Sequence, residues 1–138
     1  MSNESKRLVG ILLVIMPTVI YGGISILSFL INDPAYTHNQ LRQDLFRAGH
    51  AHAGVLLILS LVVLRYADEA NLSQKWKALV RHSIPLSGIL LPAAFFFSVL
   101  RADATEPNGL IYLAYAGAVL LAFGLLVLGI GLLRKTNP

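Results

Sequence analysis

Residues 47–66 read RAGHAHAGVLLILSLVVLRY, and this stretch decides how the rest of the chain has to fold. It opens with His50 and His52 among glycines and alanines and continues as an uninterrupted apolar run over residues 53–64. A helix rises about 1.5 Å per residue, so that run covers roughly 18 Å of a hydrocarbon layer about 30 Å thick. The histidine section must complete the crossing, and the sequence predicts a membrane-spanning helix over residues 48–66.

The composition of the whole chain indicates that lipid is its main solvent. Of the 138 residues, 56% are hydrophobic and 13% are charged, the latter being about half the share of a typical soluble domain. A soluble domain of this length has too small an interior to bury so much apolar surface. The chain has no cysteine, which excludes a disulfide, a thiolate metal site and a cysteine nucleophile. Its length predicts a single domain, residues 1–138.

Three further apolar stretches accompany the histidine helix. They cover residues 8–31, 83–100 and 109–133, and each is long enough to cross a bilayer. The first stretch, residues 8–31, follows Lys6 and Arg7, as the apolar core of a signal peptide follows its basic residues. It is longer than a signal's apolar core, and no small-residue cleavage site follows it, so we interpret it as a retained span. The predicted fold is all-α, an antiparallel four-helix transmembrane bundle with short connectors.

The positive charges predict how this bundle sits in the membrane. Eight lysines and arginines fall on the side of the two chain termini and the second connector, and three fall on the opposite side. Because short loops rich in Lys and Arg stay in the cytoplasm, both termini are predicted to be cytoplasmic. The eight are Lys6, Arg7, Arg65, Lys75, Lys77, Arg81, Arg134 and Lys135, and the three are Arg42, Arg47 and Arg101.

With this orientation the chain is predicted to be a multi-pass protein of the cytoplasmic membrane, and His50 and His52 are predicted to lie near its outer face. The lipid bilayer is the first predicted partner. The formal net charge of +4 does not indicate nucleic acid as a partner, because the basic residues form no stripe with aromatic residues between them.

His50 and His52 are the main candidates for a functional site. Polar groups at membrane depth are costly, so those that are present often have a function. Residues i and i+2 of a helix point about 200° apart, so the two rings can face one ligand only if the helix begins near Ala51. The alternative is that both rings lie in the wet interface and make ordinary hydrogen bonds there.

The segment RAGHAHAGVLLILSLVVLRY resembles the histidine-bearing helix of small proteins related to haem–copper oxidase subunit I and nitric oxide reductase. The resemblance covers some twenty of the 138 residues. It implies that His50 or His52 ligates a haem, of b type, and that the protein is linked to respiratory electron transfer. A second axial ligand would come from His38 or from another subunit, and a five-coordinate haem would need none.

Groups at a similar predicted depth would support such a haem. Tyr112 and Tyr115 lie at the outer end of the fourth span, and Arg101 lies just above the third. In this interpretation Arg101 offsets the charge of a haem propionate. The whole chain also resembles a family of small four-helix membrane proteins from bacteria of high genomic GC content, a resemblance that implies no particular activity.

A metal site without haem is a separate hypothesis. His38, His50, His52 and Asp44 supply the imidazole and carboxylate groups that bind Zn²⁺ or Cu²⁺. Their spacing matches no established metal motif, so the site would depend on the fold bringing the connector back to the helix.

The most favoured function is non-catalytic: an interaction or accessory subunit that binds a partner subunit, another copy of itself or a lipid. The chain has no Ser-His-acid spacing and no glycine-rich phosphate loop, so the sequence assigns it no enzymatic activity and favours a role without one. A homo-oligomer or a larger membrane complex is the expected assembly. Its predicted contact is the small-residue face of the fourth span, where Gly117→Leu or Ala118→Leu would disrupt association.

Overall fold

The computed structural model describes residues 1–134, which contain helices and no strand. Four of the helices are long and apolar enough to cross a membrane, which identifies a multi-pass membrane protein with an all-α fold. The segments are α1 (Asn3–Asn32), α2 (Pro34–Thr37), α3 (Gln40–Ala67), α4 (Gln74–Ser98), a 3₁₀ turn (Gly109–Tyr112) and α5 (Leu113–Leu133). Lys135, one of the eight cations behind the predicted orientation, lies outside the described residues.

The helices begin earlier than the predicted spans because polar side chains cap them well outside the apolar runs. Ser2 precedes α1, and its hydroxyl oxygen accepts the Ser5 backbone N–H at 3.2 Å. Asn39 precedes α3, and its side-chain oxygen accepts the Arg42 backbone N–H at 3.0 Å. Such caps satisfy backbone donors that the first helical turn leaves free.

Helix α4 shows the largest difference from the sequence prediction, since it begins at Gln74 instead of residue 83 and ends at Ser98 instead of residue 100. Because its first turns contain lysines, the sequence predicts a loop in this segment. In the structure Lys75 is exposed while Val80 is fully buried, so this segment is an ordinary two-sided helix that continues into the span. The predicted start of the fourth span is a 3₁₀ turn capped by Asn108.

The long helices contact one another in the order α1, α3, α4, α5, and α1 and α5 share no extended contact within residues 1–134. The molecule is therefore an open row of helices, not a closed ring. Its core lies at the centre of the row, where residues of α3, α4 and α5 and of the turn after α3 are buried together: Val63, Ala67, Ala70, Val80, Ile84 and Leu128.

Three glycines seven residues apart, Gly117, Gly124 and Gly131, let α5 pack closely against the rest of the chain. A Cβ atom at Gly124 would lie 2.9 Å from Cγ1 of Ile84. Gly117, which the sequence analysis assigns to association, is used in this intrachain packing, whereas Ala118 is exposed.

Candidate functional site

His50 lies at the contact between α3 and α1. Its imidazole rests on Gly23, where a Cβ atom would be 2.9 Å from Nε2 and 3.0 Å from Cε1, and Gly22 is also close. The ring is partly buried and makes no hydrogen bond within the described residues. The two glycines therefore provide the space that this ring occupies.

His52 faces a different helix. Its ring packs against Phe95 of α4, with 5.1 Å between the ring centroids. Its Nδ1 lies 2.7 Å from the Ala48 carbonyl oxygen, an acceptor that requires the proton to be on Nδ1. Since His50 contacts α1 and His52 contacts α4, the two rings diverge, as the i, i+2 spacing within one continuous helix requires.

The predicted supporting groups are not assembled around these histidines. Tyr112 and Tyr115 are 70% and 69% exposed, and their rings contact each other. Arg101 is exposed and forms an ion pair with Asp103 at 2.9 Å in the connector before α5. The surroundings of His50 and His52 are instead glycine, phenylalanine and backbone.

The space around the histidines bears on the haem interpretation. An axial ligand needs open space beyond its iron-binding nitrogen, and Nε2 of His50 faces the backbone of α1 at Gly23. None of the four cavities described for the chain is lined by His50 or His52. The haem interpretation remains a prediction, and these contacts give it no support.

The four proposed metal ligands are also dispersed. Asp44 pairs with Arg47 at 2.6 Å, and Nδ1 of His38 lies 2.7 Å from the Pro34 carbonyl oxygen. Within residues 1–134, no three His, Cys, Asp or Glu side chains are grouped so that they could hold a metal ion. The zinc or copper site therefore remains a prediction.

The strongest polar cluster lies at the other end of the helices, where α3 ends, and we call it the Arg81 network: Ser2, Glu4, Asp68 and Arg81. The guanidinium of Arg81 is buried and binds Asp68 at 2.5 Å and Glu4 at 2.7 Å. Oδ2 of Asp68 also accepts the Ser2 backbone N–H at 2.6 Å. The network ties the beginning of α1 to α4 and to the end of α3.

Asp68 is ionised in this network. Its burial alone would raise its pKa, but the Ser2 N–H, the Arg81 guanidinium and the Ser5 hydroxyl together hold the pKa of this carboxyl well below its usual range. The positive charge of the buried Arg81 is therefore paired with two carboxylates, the largely buried Asp68 and the half-exposed Glu4.

A second buried arginine lies at the histidine end, in what we call the Tyr36 cluster: Tyr36, Arg42, Phe46 and Val99. The guanidinium carbon of Arg42 lies 5.7 Å from the Tyr36 ring centroid and 5.3 Å from that of Phe46. Its Nε donates to the Val99 carbonyl oxygen at 3.2 Å. Nη1 of Arg42 and the Tyr36 hydroxyl are buried without a hydrogen-bond partner in the described residues. Among the residues that the structure describes, no carboxylate pairs with Arg42. Its charge is instead stabilised by cation–π contact with the two rings.

The free side of α1 carries a row of polar side chains that was not predicted from the sequence. We call it the polar stripe: Thr18, Tyr21, Ser25, Ser28 and Asn32. Tyr21 is 71% exposed, and the others are exposed except for the partly buried Ser25. Their regular spacing was the signal available in the sequence, but it lies within a run whose hydrophobic majority indicates only a span.

Comparison of the chain with family models, with curated proteins and with solved structures gives no match. The function is therefore argued from the geometry of the chain itself.

Proposed function

We propose that this chain is a non-catalytic accessory subunit of the cytoplasmic membrane that associates laterally with another membrane protein chain through α1. In this proposal the four long helices cross the bilayer in alternating directions, with both termini in the cytoplasm. The excess of basic residues on the side of the termini supports that orientation.

The observation that carries the proposal is the position of α1 at the end of the row. Helix α1 packs against α3 on one side only, and none of the residues in its most apolar stretch is buried. Lipid can cover an apolar face at no cost, but this face carries hydroxyl and amide groups. Contacts between membrane helices are enriched in such groups, which can hydrogen-bond from one helix to the other.

The histidines favour a non-catalytic role. Neither His50 nor His52 is hydrogen-bonded to a side chain in the described residues, and the one hydrogen bond of the pair is to a backbone carbonyl. A general base needs an orienting partner or a nucleophile within hydrogen-bond reach. Both rings instead fill space between helices.

Site-specific photo-crosslinking in native membranes tests the proposal. A benzoylphenylalanine is incorporated at Tyr21 on α1, and a matched control is made at Tyr115 on α5, because the two tyrosines are 71% and 69% exposed. We expect a protein adduct of defined mass from Tyr21, and lipid adducts alone from Tyr115.

Lipid adducts alone at both positions would contradict the proposal, because they would show that α1 has no protein neighbour. Protein adducts of equal yield at both positions would also contradict it, since association would then not be specific to α1.

A further inference from the structure

We infer that the polar stripe of α1 is a contact surface between two copies of this chain, packed in parallel along α1. This inference rests on the proposed lateral association and specifies its partner. Four observations carry it: the spacing of the stripe, its place on the helix, its chemistry, and the depth of its residues in the membrane.

The stripe has the spacing of a helix–helix seam. Its five members follow one another at intervals of three, four, three and four residues: Thr18, Tyr21, Ser25, Ser28 and Asn32. A repeat of about seven residues keeps one face turned towards a neighbour when two helices cross at about 20°. A stripe that merely faced lipid would need no such period.

The stripe lies away from the face that α3 covers. The α3-facing side is marked by Val19, which is near Gly54, and by Gly23, which is near His50. At about 100° per residue, the centre of the stripe is roughly 160° around the helix from that side. A second helix can therefore approach the stripe without displacing α3.

The chemistry of the stripe is complementary to itself. Hydroxyl and amide groups both donate and accept hydrogen bonds, and the stripe contains no charge that an identical stripe would repel. Thr18 and Ser25 donate to their own helix, at 2.7 Å to Ile15 O and 2.9 Å to Tyr21 O, which leaves their oxygens free to accept. The Asn32 amide donates to Ser28 O at 3.1 Å and to Ser28 Oγ at 3.4 Å. The Tyr21 hydroxyl makes no hydrogen bond within the described residues, so it needs an acceptor from outside them.

Depth selects a second copy as the partner. Two copies inserted in the same direction place each residue opposite its counterpart at the same level of the bilayer, so Tyr21 meets Tyr21 and Ser28 meets Ser28. The small side chains of Ser25 and Ser28 allow the two backbones to approach closely. An unrelated helix would have to match the polar groups of α1 in both spacing and depth.

Single-cysteine crosslinking tests the inference cleanly, because the chain has no cysteine of its own. The stripe variants are Ser25→Cys and Ser28→Cys, and the controls are Ile20→Cys and Leu27→Cys. Ile20 and Leu27 are 62% and 55% exposed on the same helix but lie off the stripe. Each variant is oxidised in lipid vesicles with copper phenanthroline, at several ratios of protein to lipid.

We expect a disulfide-linked dimer from the stripe variants at about tenfold the yield of the controls, because a disulfide needs Cα atoms within roughly 7 Å. The yield should stay constant as the vesicles are diluted with lipid. Equal yields from all four variants, yields that fall with dilution, or no dimer from the stripe variants would each overturn the inference.

The result separates this inference from the proposed function. If the Tyr21 photo-probe captures a different protein and the stripe cysteines give no dimer, α1 has a partner but it is not a second copy. If the photo-probe captures only lipid and no dimer forms, both proposals fail. Equal thermal unfolding of stripe and control variants shows that the substitutions have not changed the fold.

Discussion

The imidazole of His50 on α3 occupies the space that a side chain at Gly23 of α1 would fill. Its Nε2 lies 2.9 Å from the position that a Cβ atom at Gly23 would take. The contact joins α3 to α1 within the span. It makes Gly23 a position where size, not conformation, is restricted, since no residue of the described chain has a positive φ.

We expect Gly23→Ala to lower the free energy of unfolding by about 1–2 kcal/mol, because the added methyl group must displace the His50 ring. Gly22→Ala is the matched control, since its Cβ would be 3.9 Å from the nearest ring atom, and it should be neutral or slightly stabilising. Titration with SDS in mixed micelles measures both. In the double variant with His50→Ala the penalty should disappear; a penalty that persists would contradict the assignment.

The glycine stripe of α5 gives a second prediction. Gly124→Ala should destabilise the protein by about 1–3 kcal/mol, because its Cβ would clash with Ile84 and with the buried Ser83. Gly129 has nothing within 4 Å of its Cβ position, so Gly129→Ala should be neutral. Equal effects of the two substitutions in the same unfolding assay would show that α5 does not pack on α4 as described.

The ion pair of Asp68 with Arg81 predicts that the free energy of unfolding depends on pH. The folded-state pKa of Asp68 is lowered from an ordinary value of 3.8, so its stabilisation is complete above that value and is lost as the pH falls through the folded pKa. Asp68→Asn should cost about 3 kcal/mol near neutral pH, since it breaks a buried ion pair. The difference in unfolding free energy between wild type and Asp68→Asn should therefore shrink as the pH is lowered below about 4.

Asp103→Asn is the control for this prediction, because Asp103 forms an exposed ion pair with Arg101. It should leave the unfolding free energy unchanged. A difference for Asp68→Asn that grows towards low pH would have the wrong sign and would refute the role given to this carboxylate.

The unpaired hydroxyl of Tyr36 gives a fourth prediction. Tyr36→Phe should be neutral or stabilising by up to about 1 kcal/mol, because it removes a buried polar atom that has no partner in the described residues. Tyr36→Leu keeps an apolar side chain but loses the stacking on Arg42 and Phe46, so it should be clearly destabilising. A marked loss of stability in Tyr36→Phe would show that an acceptor binds this hydroxyl.

The sequence predicts the four long helices well, because a run of apolar residues as long as a bilayer is thick has few alternatives. The first residues of α3 and α4 differ from prediction because Arg42 and Arg81 lie outside the apolar runs of the sequence, yet both are buried in the fold. Their burial depends on contacts far along the chain: Arg81 with Glu4 and Arg42 with Val99. Hydropathy along the sequence carries no information about such partners.

The candidate site was less predictable for a related reason. The divergence of His50 and His52 follows from helical geometry alone, but which helix each ring meets does not. The pairing of His50 with Gly23 and of His52 with Phe95 depends on the order of the helices in the row. The same order leaves one side of α1 free, and this gives the polar stripe its significance.

The open row also has a consequence for how the protein is made. Helix α1, which is synthesised before the other three long helices, is among the most apolar spans and has no buried residue in its apolar stretch. Helix α4 is the least apolar and the most buried of the four. A helix that is apolar enough inserts into the bilayer by itself, but one that carries polar groups needs a neighbour to insert against. Synthesis would therefore place α1 in the membrane unaided, and α4 would enter alongside α3, with Arg81 reaching Asp68 and Glu4 only after both helices are in position.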